Sequence, residues 1–118
     1  MTKREQVLLS KIQNYQQLLK DTIGELKISS PNDLSSIHAM MRRGMVQTVA
    51  DIFELTSPLS DEVSKQLPLN RDIIKQFRNT ACHNYGTITN VLAYACIIHC
   101  TDKHFIDAVK KLLGDVKQ

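Results

Sequence analysis

A chain of 118 residues, 42% of them apolar, is long enough to bury one core and too short for two independent ones. Aromatics make up 5% and tryptophan is absent, which excludes a surface of stacked rings for reading single-stranded bases. The formal charge of +3 comes from basic residues mixed with acids along the chain, which excludes a large basic footprint for nucleic acid and leaves room for a local phosphate site.

With four glycines and three prolines, the composition favours long helices over a strand-and-turn fold. Over residues 4–27 the side chains Leu8, Ile12, Tyr15, Leu19, Thr22 and Leu26 step by fours and threes, which predicts a long amphipathic helix. The stretch ISSPNDLSS reads as a turn, with Asn32 or Asp33 as the N-cap of a second helix running to about Leu55. Its apolar residues are Ile37, Met40, Met41, Met45, Val49, Ile52 and Phe53, and TSPLSDE interrupts it. A short helical turn capped by Ser60 is expected over residues 61–66.

After Pro68, the segment LNRDIIKQFRNTACHNY is helical in pattern, with Asn70 as N-cap and Gly86 as a left-handed terminator. Residues 88–100 are nearly all apolar and suit a buried helix, although VLAYACII alone also fits a buried strand; with no partner strand elsewhere, helix is the expectation. Residues 102–113 close the chain as an amphipathic helix with Phe105, Ile106, Val109, Leu112 and Leu113 inward. No internal repeat or linker divides residues 1–118. The expected architecture is therefore a single all-α domain, an antiparallel bundle of four to five helices.

No apolar run reaches membrane-spanning length, and the start MTKREQVLLSK lacks the apolar core of a signal peptide. The cysteines Cys82, Cys96 and Cys100 form an odd set without disulfide-framework spacing, as in a reducing compartment. A cytoplasmic protein with no membrane association is expected.

The segment RNTACHNYG, residues 78–86, concentrates polar chemistry at a helix end. On an unbroken helix Arg78 and His83 stand about 140° apart around the axis, whereas Asn79 and His83 share a face. For Arg78 and His83 to meet one phosphate, the helix end must distort or two copies must face each other across a two-fold axis. Such a pair suits RNA cleavage. A histidine moves the proton of a 2′-hydroxyl or of a leaving oxygen near neutral pH, and a guanidinium holds the phosphate and opposes its growing charge. No metal and no cofactor is called for, and the chain offers no carboxylate cluster built to hold a cation.

The string from Arg78 to His83 resembles the R-x4-6-H signature of the HEPN domain superfamily, in which a polar residue, often asparagine, follows the arginine. With His83-Asn84-Tyr85 it becomes R-x4-H-x-Y, similar to the HepT toxin branch, and the likeness extends over most of the chain: two long helices, a proline-bearing break, the motif, then two closing helices. The resemblance implies a homodimeric, metal-independent endoribonuclease with Arg78 and His83 catalytic and Asn79 supporting. It also implies a partner, an antitoxin of the minimal nucleotidyltransferase type, which in this family adenylylates the motif tyrosine, here Tyr85. An adenylyl group there would bring phosphate and bulk within two residues of His83 and block RNA entry.

The alternative is a non-catalytic HEPN module that binds nucleotide or protein as the partner of a nucleotidyltransferase. A plainer reading has the Arg, His and Tyr of RNTACHNYG capping carbonyls at a helix C-terminus, where cations are favoured. Cys96, His99, Cys100 and His104 have spacing that a zinc site uses, yet burial in a core helix is the commoner fate of such cysteines. Cys82, beside His83, reads as a packing residue. Core or dimer packing is the default for Met40, Met41 and Met45. Arg42 and Arg43 break that stripe and are expected on a solvated face, with a phosphate contact at the cleft rim as the other reading.

Overall fold

Every regular element among the described residues is helical. The structure, a computed structural model, describes residues 1–81 and 88–117, with side chains described to residue 114. Helix α1 (Lys3–Leu26) starts behind a capping box in which Thr2 Oγ1 accepts from the Glu5 N–H at 3.1 Å and Glu5 Oε1 accepts from the Thr2 N–H at 3.1 Å. It stops where Lys27 turns left-handed (φ 55°, ψ 47°) and the Ile28 N–H returns to the Ile23 carbonyl at 3.0 Å.

The second helix begins later than its expected cap. Asp33 belongs to a separate 3-10 turn (Pro31–Ser35), where its carboxylate folds back to accept from the Ser29 and Ser30 N–H groups at 2.7 and 3.1 Å. With that side chain committed backwards, α2 (Ala39–Thr56) takes His38 as N-cap, its Nδ1 accepting from the Met40 N–H at 3.1 Å. Ser60 caps the short α3 (Asp61–Ser64), and Asn70 caps α4 (Arg71–Ala81) through Oδ1 to the Ile73 N–H at 3.1 Å, both as expected. The stretch with two readings is a helix: α5 (Asn90–Thr101) starts at Thr89, whose Oγ1 accepts from the Leu92 N–H. Helix α6 (Lys103–Lys117) follows after Asp102 alone and runs four residues beyond the expected end at Leu113.

Helix α1 packs on α2, α5 and α6, and α5 also meets α2, α4, α6 and the 3-10 turn. The buried line on α1 is Glu5, Leu9, Ile12, Gln16 and Leu19, rotated slightly from the expected stripe so that Leu8, Tyr15 and Leu26 lie at its margin. Two of its members are polar because each has a specific long-range partner. Gln16 Nε2 donates to the Cys100 carbonyl at 3.0 Å, and Glu5 Oε2 accepts from the Ser60 N–H at 2.9 Å.

On α2 the buried face is Met45, Val46, Val49, Ala50, Ile52, Phe53 and Thr56, while Met40 and Met41 are 66% and 45% exposed, outside the core that their spacing suggested. Helix α5 is not buried all round either. Ala93, Cys96, Ile97 and Cys100 face inward, and Val91 and Ile98 are exposed.

Candidate functional site

Ile74 and Phe77 are the buried residues of α4, and Ile73 and Ala81 pack beside them. Phe77 meets Phe53 edge to face, with centroids 5.4 Å apart and planes at 82°, which docks α4 on the C-terminal turn of α2. This inward face fixes the outward one, so Arg78 and Asn79 are exposed in the last turn of α4. Arg78 Nη2 donates to the Phe53 carbonyl at 3.1 Å, which also accepts from Thr56 Oγ1 at 2.7 Å. That carbonyl belongs to the last turn of α2, where helical N–H partners run out and the partial negative charge of the helix end favours a cation.

The plainer capping role therefore holds for Arg78, but on a neighbouring helix instead of its own. A guanidinium has five N–H donors, and the bond to Phe53 occupies one; the others have no further partner among the described residues. His83, Tyr85 and the expected stop at Gly86 lie outside the described residues, which bracket them with Ala81 on one side and Ile88 on the other.

Ile88, the first described residue after the motif, is buried, and its carbonyl accepts from Arg42 Nη2. Arg42 Nε also donates to Asn90 Oδ1 at 2.8 Å, and Asn90 Nδ2 donates to Ser35 Oγ at 2.7 Å. Arg42 is half-buried and tied to the start of α5, whereas Arg43 is exposed as expected. The sequence held the signal for this. Arg42, Val46, Val49 and Phe53 recur at helical spacing on one side of α2, and Arg43 falls off that line.

His99 contributes to the same region through α4. Its Nε2 accepts from the Asn70 N–H at 3.1 Å, and its ring lies between Phe53 and Phe105, with centroids 6.2 and 5.6 Å away. Burial lowers its pKa, with the Asp102 carboxylate partly opposing the shift, which favours the neutral acceptor that Asn70 needs. Cys96 and Cys100 are buried; burial pushes the Cys96 thiol up to about 12 and raises Cys100 well above the usual thiol range. Among the described residues no three His, Cys, Asp or Glu side chains come together to hold a metal ion.

No family model matches the chain, and neither a curated protein nor a solved structure matches it. Among the described residues no helix is long and apolar enough to cross a membrane.

Proposed function

We propose that the chain is a metal-independent endoribonuclease of the HEPN type, acting as a homodimer and restrained by a nucleotidyltransferase-type antitoxin. The observation that carries this reading is the exposed Arg78 in the last turn of α4, five residues ahead of His83, with most of its guanidinium fork uncommitted among the described residues. Phe53 steadies one nitrogen, and the remaining donors are available to the oxygens of a phosphate.

In the reaction the 2′-oxygen of one nucleotide attacks the adjacent phosphorus and the bond to the 5′-oxygen of the next nucleotide breaks. The products are a 2′,3′-cyclic phosphate and a 5′-hydroxyl. The 2′-hydroxyl loses a proton and the leaving oxygen gains one; His83 serves as the base or the acid, and in a two-fold pair its two copies divide the roles. Arg78 opposes the extra negative charge on the phosphoryl oxygens, and Asn79 orients the histidine. Tyr85 is the site where the antitoxin's adenylyl group blocks the cleft.

The test is cleavage of tRNA and messenger RNA in excess EDTA by the wild type, Arg78→Ala and His83→Ala, each confirmed folded by circular dichroism. Cleavage by the wild type alone supports the reading. If the wild type is silent, its intact mass decides: an adenylyl group on Tyr85 accounts for the silence, and an unmodified, inactive protein removes the proposal. The bond from Arg78 to Phe53 favours one second reading, a binding module that keeps the arginine for docking α4. That module binds its nucleotidyltransferase partner equally well with and without His83 and cleaves nothing.

A further inference from the structure

We infer that the crevice between α1 and α6 is a binding site for a small organic anion, a carboxylate or a phosphate ester, that also carries a neutral hydroxyl donor. The site is independent of the RNA-cleavage reading and shares no residue with it. The crevice has a volume of about 270 Å³ and is lined by Gln13, Asn14, Gln16 and Gln17 of α1 and by Ile106 and Lys110 of α6. At about 30 Å³ per water in the liquid, that is room for a small organic molecule and more than a single water needs. Gln16 is the deepest of the six, 1% exposed; Gln13 and Ile106 are half-buried, and Asn14, Gln17 and Lys110 are exposed at the mouth.

Gln16 carries the feature that singles this place out. Its Nε2 donates to the Cys100 carbonyl at 3.0 Å, which fixes the way the amide faces, and its buried Oε1 has no hydrogen-bond partner among the described residues. A buried acceptor without a donor is costly, and folded proteins satisfy nearly all of them. With Nε2 engaged by α5, Oε1 occupies the other branch of an amide that lines the crevice towards α6. The donor it calls for is neutral, because burying an ammonium against one carbonyl costs far more than burying a hydroxyl. In the free chain Oε1 is closed off from solvent, so binding requires the exposed side chains of the mouth to move aside.

Gln17 is arranged in the same way: its Nε2 donates to Asp21 Oδ1 at 2.7 Å, which leaves the carbonyl oxygen as the uncommitted end. The charge that selects an anion belongs to Lys110, whose ammonium makes no ion pair among the described residues. Asp21 and Asp107, acids on the same two helices, are engaged by Gln17 and Lys103, and no carboxylate of the described residues lines the crevice. A cation at the mouth, an oriented acceptor at the floor and Ile106 as an apolar wall together suit a short, hydroxylated anion.

The experiment titrates the purified chain, followed by proton–nitrogen NMR, with lactate and glycerol phosphate and with their counterparts lacking the hydroxyl, propionate and propyl phosphate. At least one hydroxylated anion should shift the Gln16 side-chain amide saturably and bind at least about tenfold more tightly than its counterpart, which leaves Oε1 unpaired. Which of the two does so identifies the anion as carboxylate or phosphate. Lys110→Met should weaken that binding roughly tenfold, and Gln16→Leu should erase the preference for the hydroxyl. If Gln16→Leu does not fold, the four probes on the wild type and on Lys110→Met decide alone. No saturable shift with any probe at about 10 mM, with only water magnetisation reaching the Gln16 amide, would show a buried water in place of a ligand and overturn the inference. Equal binding of hydroxylated and hydroxyl-free probes, or binding unchanged in Lys110→Met, overturns it as well.

Discussion

Arg78 and Phe53 are joined twice: by a hydrogen bond from the guanidinium to the Phe53 carbonyl at 3.1 Å, and through the neighbouring Phe77 ring, which meets the Phe53 ring edge to face. The arginine of the motif therefore carries a structural load as well as its proposed catalytic one. Replacing it with alanine should lower stability by about 1 kcal/mol, a fall of about 4 °C in melting temperature for a domain of this size. RNA cleavage should fall about 10²–10³-fold in the same variant, measured where both proteins are folded. A melting shift without loss of cleavage would leave only the docking role.

The neutral acceptor role of His99 sets a pH dependence. Its pKa is lowered in the folded state, so its contribution is fully present above the unfolded value of 6.5 and is lost as pH falls through the window below it. Urea denaturation at pH 7.5 and pH 5 should show the wild type losing stability on acidification, with His99→Leu losing less between the same two points. Parallel losses in the two proteins would show that His99 does not titrate in this range.

Glu5 sets a second limb in stronger acid. The N–H groups of Ser60 and Thr2, in that order of weight, hold its carboxyl down to about 2 from 4.5. Its contribution is present above 4.5 and disappears as pH falls towards about 2. Acid unfolding of Glu5→Gln should be shallower over that window than that of the wild type, and less stable at neutral pH; identical curves would remove the latch between Glu5 and Ser60.

Three methionines on α2 should separate cleanly. Met45→Ala should destabilise by about 2–5 kcal/mol, because that side chain is 3% exposed. Met40→Ser and Met41→Ser should stay within about 0.5 kcal/mol of wild type. A loss at Met40 or Met41 comparable with that at Met45 in chemical denaturation would show that a partner covers them in solution.

Cys96 and Cys100 should resist iodoacetamide at pH 8 until the chain is unfolded, since burial keeps both as thiols. Peptide mass mapping reads this directly, and rapid labelling of either in native buffer would contradict the buried assignment.

The helical class and most element bounds were legible because apolar spacing and cap residues act locally: Ser60 and Asn70 cap where their neighbours demand it. What escaped depends on residues far apart in sequence. Gln16 and Glu5 look like surface residues until Cys100 and Ser60 arrive as their partners, and Asp33 was placed at the head of α2 because nothing local shows its carboxylate turning back to Ser29. Met40 and Met41 follow the apolar spacing, yet they lie on the first turns of α2, at the margin of its contact with α1. Of the candidate site, the sequence singled out Arg78, but it put Arg42 on a solvated face because it interrupts the methionine stripe, and overlooked its position on the line through Val46, Val49 and Phe53.

The bond between Gln16 and the Cys100 carbonyl spans 84 residues and has a consequence for biosynthesis. The buried side of α1 is completed by α5 and α6, which leave the ribosome after it. At translation rates of about 5–20 residues per second, α1 waits roughly 4–17 s between its own emergence and the arrival of Cys100. During that interval α2 is the one large helical partner already made that packs on Leu9, Ile12 and Leu19, so the buried side of α1 stays partly exposed to solvent until α5 and α6 have been made.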